Sequence, residues 1–161
     1  MATDMADLAE LIRALLAADE GKSLEVPIGG NLFDVAVIAA GSAGEAVVAE
    51  LDVRQGPHGC GPVMRDPDGP WLYLLVPPGT SRRWQHELAP CLGSGRIVLP
   101  PLHRHAPPGR YWVRSRRETH LVGPQMLGQA LDRHRPSPVA EPGRGLAASL
   151  AGDNASWEPL R

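Results

Sequence analysis

Residues 61–76, GPVMRDPDGPWLYLLV, hold the clearest fold signal in the chain. Two apolar runs, residues 61–65 and 71–76, flank Asp66-Pro67-Asp68-Gly69. Asp bonds its own nearby backbone, Pro fixes φ and Gly tolerates positive φ, so these four residues favour a turn. The segment reads as a β-hairpin. Pro77-Pro78-Gly79 ends its second strand, because proline cannot donate to a ladder.

Upstream, residues 23–28 and 32–39 are apolar or alternating around Gly29-Gly30-Asn31, which reads as two strands about a turn. Ser42-Ala43-Gly44-Glu45 has the spacing of a capping box and opens a short helix to about Leu51, with Val47, Val48 and Leu51 inward. Residues 4–20 read as a helix capped by Asp4, with Leu8, Leu11, Ile12, Leu15 and Leu16 on one face and Gly21 as its stop. Downstream, residues 81–88 suggest a short helix and residues 96–99 and 111–114 suggest strands. A last helix starts at Pro124 and ends before Pro136. Residues 136–161, rich in Pro, Gly, Ala and Ser, read as a disordered tail. Hairpins mixed with helices predict an α+β domain over residues 1–135, with a single mixed or antiparallel sheet covered by helices.

The 161 residues, 43% of them hydrophobic, suffice for one domain with a core. A net charge of −2 excludes a uniformly basic nucleic-acid coat and an acidic disordered chain. That near-neutrality is a cancellation. Residues 1–70 carry a net −8, residues 82–135 a net +7, and residues 71–81 no charge at all. Either the basic part forms an anion-binding face, or the two parts pack together and neutralise each other. No apolar run is long enough for a membrane span. Asp4, Asp7 and Glu10 stand where a secretory leader is basic, so a cytoplasmic chain with no membrane partner is expected. Cys60 and Cys91 make no disulfide framework, though one bridge between them is open.

Arg110, Arg114, Arg116 and Arg117 cluster about Tyr111 and Trp112, with Arg96 on the preceding strand. Guanidinium forks suit phosphate and aromatic rings stack on bases, so these seven residues are the candidate nucleic-acid platform. The plainer alternative is a half-exposed strand with solvated arginines. His103 and His105, with Cys91, His86 or His120, raise zinc, but the spacing matches no compact metal motif and no metal site is expected. Gly93-Ser94-Gly95 is read as a tight turn rather than a phosphate loop, because a strand follows and lysine is absent.

Two runs, GPVMRDPDGPWLYLLVPPG (residues 61–79) and LGSGRIVLPPLHRHAPPGRYWV (residues 92–113), resemble the N-terminal domain of bifunctional DNA primase/polymerases, the prim–pol branch of archaeo-eukaryotic primases. Short actinobacterial proteins of that description are similar in Phe33-Asp34-Val35-Ala36, Gly44, Gly61-Pro62-Val63, Pro78-Gly79, Pro100-Pro101 and Trp112. The resemblance covers roughly residues 30–115. It implies an archaeo-eukaryotic-primase-like fold and, in active members, an acidic pair holding two divalent metals. The counterpart of that pair, on a strand in the family, falls in Glu50-Leu51-Asp52-Val53-Arg54, where Asp52 is matched with Arg54. The family's histidine falls near Trp71, its third Asp near Ala89 and the neighbouring Arg near Cys91. The expectation is therefore a prim–pol-like domain that has lost nucleotidyl transfer and acts as a nucleic-acid-binding or interaction accessory, with DNA or RNA as partner. One alternative is an active nucleotidyltransferase using Asp34, Asp52 and Asp68 with Mg²⁺ or Mn²⁺. The other is a regulator that binds a protein through its C-terminal tail.

Overall fold

The computed structural model describes residues 24–30, 32–55, 60–101, 103–114 and 120–139. Among these residues, seven strands and three helices follow in the order β1 (Leu24–Pro27), β2 (Asp34–Ala39), α1 (Ser42–Arg54), β3 (Val63–Arg65), β4 (Trp71–Val76), α2 (Thr80–Arg83), β5 (Cys91–Leu92), β6 (Arg96–Leu99), β7 (Tyr111–Arg114) and α3 (Pro124–His134). The fold is α+β, and every strand pairing is antiparallel. The predicted helix over residues 4–20 and the tail from residue 140 onward lie outside the described residues. The chain past residue 135 is docked as far as residue 139: Pro136 is buried, and the Val139 N–H donates to the Leu88 carbonyl at 3.0 Å.

The strands form two sheets where one was expected. Five make a sheet in the order β5-β2-β4-β3-β7, and β1 pairs with β6 in a separate ribbon. The turn after β1 reverses the chain through a single bridge, Gly29 to Phe33, and β2 then leaves for the larger sheet. Gly29 has φ +87, and a Cβ there would collide with the Gly93 carbonyl, so only glycine lets the two turns approach this closely.

The result is three layers. Val35 and Val37 of β2, Tyr73 and Leu75 of β4 and Met64 of β3 pack against Val26, Ile97 and Leu99 of the ribbon. Ala36 and Ile38, Leu72 and Leu74, and Val63 face the other way, against Val47, Val48 and Leu51 of α1 and Leu127, Ala130 and Leu131 of α3. A strand covered on both faces has no solvent side, which explains why β2 and β4 read as continuous apolar runs. Each large side chain fully buried here, such as Phe33, Ile38 or Leu74, contributes about 1.5–3 kcal/mol.

The hairpin forms as its sequence predicts, with Val63 opposite Leu74 and Arg65 opposite Leu72. Asp66 closes its turn by accepting the Asp68 N–H at 2.9 Å on its side chain and the Gly69 N–H at 3.1 Å on its carbonyl. The capping box does not form. Gly41 is the N-cap, at φ 127, and Ser42 is already helical. The helix thus starts one residue earlier than the box predicts, and Gly44 packs on the Ala39 carbonyl, where a Cβ would collide. The short helix expected over residues 81–88 is confined to Thr80–Arg83. Beyond it the Trp84 indole N–H donates to the Ala89 carbonyl at 2.6 Å, and His86 Nδ1 accepts the Leu88 N–H, closing a loop instead. α3 has Pro124 in its first turn and ends at Arg135, with φ 42.

Glu50 of α1 pins α1 to α3. It accepts from Arg133 and, at 2.9 Å, from His134, and also from Arg54 at 3.4 Å. The Arg133 bond foremost, then those from His134 and Arg54, outweigh partial desolvation and hold the carboxyl at about 2 against an ordinary 4.5. A carboxylate lowered in the folded state stabilises fully above its unfolded value and loses that contribution as pH falls through its folded value. The difference in urea midpoint between the native chain and Glu50→Gln is therefore expected to be steady near neutrality and to shrink from about pH 4.5 towards about pH 2.

Candidate functional site

The predicted basic platform on β7 is largely turned inward. Arg110 is buried, with Nε 3.5 Å from Asp66 Oδ2, Nη1 donating to the Val98 carbonyl at 3.0 Å, and its guanidinium 5.7 Å from the centre of the Tyr73 ring. Trp112 is buried and its indole N–H donates to the Pro100 carbonyl at 3.0 Å, so it offers no stacking face. Arg114 grips Asp52 Oδ2 through Nε at 2.9 Å and Nη2 at 2.7 Å. Arg96 is exposed and meets Glu25 at 3.1 Å. Tyr111 is half-buried, and Arg116 and Arg117 lie outside the described residues. The pairs Arg114–Asp52, Arg110–Asp66, Arg96–Glu25 and Arg133–Glu50 each join the basic stretch to the acidic one. Much of the charge asymmetry is thus neutralised within the fold.

The three candidate carboxylates sit apart. Asp34 is buried at the start of β2, and its Oδ2 accepts the backbone N–H of Gly79 at 3.1 Å and of Ser81 at 2.8 Å. Asp52 lies in the last turns of α1, where its Oδ1 accepts the Cys60 N–H at 2.9 Å and its Oδ2 binds Arg114. Residues 50–54 are helical, so the acidic-pair strand implied by the resemblance is not present there. Asp68 is exposed at the hairpin tip. Trp71 packs on the ribbon side of the sheet and Ala89 on the helix side, so those two positions do not meet either. Among the described residues no three His, Cys, Asp or Glu side chains gather as a metal site. His103 and His105 are exposed in the β6–β7 loop rather than on a strand, and His86 bonds Asp132 at 2.9 Å. Cys60 and Cys91 are not joined in a disulfide. Burial, then the charge of Asp34, pushes the Cys91 thiol up to about 12, far from a reactive thiolate.

The unclaimed positive charge lies elsewhere. A cleft of about 550 Å³ opens at the C-terminal end of β4, lined by residues 77–80, Arg82, Arg83, Trp84, Pro124 and Gln125. The two bonds from Asp34 hold its loop, Gly79 turns at φ 91, and the Thr80 hydroxyl donates to the Pro77 carbonyl at 2.6 Å. This scaffold presents Arg82 and Arg83, both exposed, and among the described residues neither is ion-paired. Trp84 is half-buried beside them, its edge fixed by Ala89. The facing wall is the start of α3, where Pro124 and Gln125 line the cleft, so the partial positive end of that helix lies at the wall, although the Gly123 N–H itself is taken by Gln55 Oε1 at 3.0 Å. Sequence reading passed over Arg82-Arg83-Trp84 as part of a helix, although the pair opens the basic stretch directly after eleven uncharged residues, 71–81.

No protein-family model, curated protein or solved structure matches this chain.

Proposed function

We propose that the chain is a prim–pol-like module without nucleotidyl transfer that binds single-stranded nucleic acid at the Arg82–Arg83–Trp84 cleft. One observation carries the reading: two adjacent exposed arginines, without ion pairs among the described residues, share a 550 Å³ cleft with an indole and a helix N-terminus. Guanidinium groups take backbone phosphates in bidentate fashion, and an indole edge or face offers a sequence-tolerant surface for a base. The loss of catalysis is supported by the employment of Asp34 and Asp52 in structural bonds and by their separation from Asp68. The alternative of a protein partner rests on residues 136–161, most of which lie outside the described residues.

Fluorescence anisotropy with labelled single-stranded DNA and RNA tests this. Binding is expected at low salt and to weaken with a log–log slope of about −1.4 for two phosphate contacts, at roughly −0.7 each. No binding to either oligonucleotide at low salt overturns the reading. Nucleotide incorporation with Mg²⁺ or Mn²⁺ is expected to stay at background.

A further inference from the structure

A second cleft, of about 450 Å³, lies at the other end of the central sheet. β2 runs from Asp34, under the first cleft, to Ala39, and the Ala40 N–H then bonds the Pro70 carbonyl. Here Gly41, the N-cap of α1, and Glu45 in its first turn stand over the ends of β4, β3 and β7. Its floor is apolar, made by Val48, Leu72 and Val113, and Tyr111 adds an aromatic ring.

The charges around it do not cancel by contact. Arg114 is already satisfied by Asp52. His105 also lines the cleft, with its Nδ1 3.4 Å from the Trp112 carbonyl, which leaves Arg65 and Glu45 as the charges without a contact. Both line the cleft, yet they form no ion pair with each other, and among the described residues neither has another charged partner. The Nε of Arg65 is buried and, among the described residues, has no acceptor. That Nε is closed off from solvent, so the part of Arg65 open to a ligand in the cleft is the end of its guanidinium.

One unmatched cation, one unmatched anion and an apolar floor between helix and sheet suit a small zwitterion with a hydrocarbon side chain. We propose that this second cleft binds an apolar or aromatic α-amino acid. Its carboxylate accepts from Arg65, its ammonium donates to Glu45, and its side chain lies on Val48, Leu72 and Val113. The neutral overall charge of such a ligand matches the lining, whereas a phosphate would meet the repulsion of Glu45. This site is independent of the nucleic-acid reading, being at the opposite end of the sheet, so either can fail alone.

Isothermal titration of the full chain with L-phenylalanine, L-phenylalaninamide and 3-phenylpropionate tests it. L-Phenylalanine is expected to bind. The amide, lacking the carboxylate, and the propionate, lacking the ammonium, are each expected to bind at least about tenfold more weakly, as the loss of one charge-assisted bond requires. Glu45 is exposed, so Glu45→Gln is expected to fold normally and to abolish the preference for phenylalanine over phenylpropionate. Arg65→Lys keeps the charge but loses the planar guanidinium fork that a carboxylate matches, and is expected to weaken phenylalanine. The proposal is overturned if none of the three binds, if all bind alike, or if Glu45→Gln keeps the native preference.

Discussion

Asp34→Ala is expected to lower the unfolding free energy by about 3 kcal/mol. The carboxylate is buried and accepts two backbone N–H groups, those of Gly79 and Ser81, on the same oxygen. Hydrogen bonds to a charged acceptor contribute about 1.5–3 kcal/mol each, and truncation also leaves both donors without their partner. Partial access of water to the loop keeps the total below the sum. Asp34→Asn retains one oxygen for the same donors and is expected to cost only about 1 kcal/mol. Urea denaturation followed by circular dichroism checks both values. Equal losses in the two variants would mean that the charge, rather than the acceptor, matters. A negligible loss in Asp34→Ala would remove the structural role and return Asp34 to the candidate metal ligands. Because this carboxylate shapes the loop that presents Arg82 and Arg83, Asp34→Ala is also expected to weaken oligonucleotide binding without touching any residue that contacts it.

The second large effect is on binding itself. Reversing both charges, Arg82→Glu with Arg83→Glu, is expected to reduce oligonucleotide affinity at low salt by at least about 100-fold, the loss of two charge-assisted contacts. Replacing both by alanine is expected to flatten the salt dependence by about 1.4. Stability should stay within about 0.5 kcal/mol, because both side chains are exposed and, among the described residues, unpaired. Unchanged affinity in the double Glu variant would exclude this cleft as the interface. As a control, Arg114→Gln breaks the bond to Asp52 and is expected to alter stability more than affinity.

What was legible in the sequence was local. The Asp-Pro-Asp-Gly turn announced its hairpin because the turn residues sit between the two runs that they join. Pro124 and the break before Pro136 bounded α3 for the same reason. What was hidden depends on partners far along the chain. β1 looked like the mate of β2 and instead pairs with β6, some seventy residues away. The arginines of β7 looked free because their acids, Asp66 and Asp52, lie forty or more residues earlier. No local pattern reveals that a guanidinium is already satisfied. The capping box also failed despite its correct spacing: Gly41 is the N-cap, so Ser42 is already the first helical residue.

The central position of β4 carries a hazard for the unfolded chain. In the native sheet both of its edges are paired, to β2 and to β3. Outside it, WLYLLV is a six-residue uncharged segment of high β propensity, the kind that seeds stacked intermolecular strands. Pro70 on one side and Pro77-Pro78 on the other interrupt any ladder that tries to lengthen beyond it, acting as gatekeepers. During synthesis β2 emerges first, so a native edge is ready when β4 leaves the ribosome. Substitutions that loosen β2 therefore declare themselves as insoluble protein in the cell before they register as a lost activity.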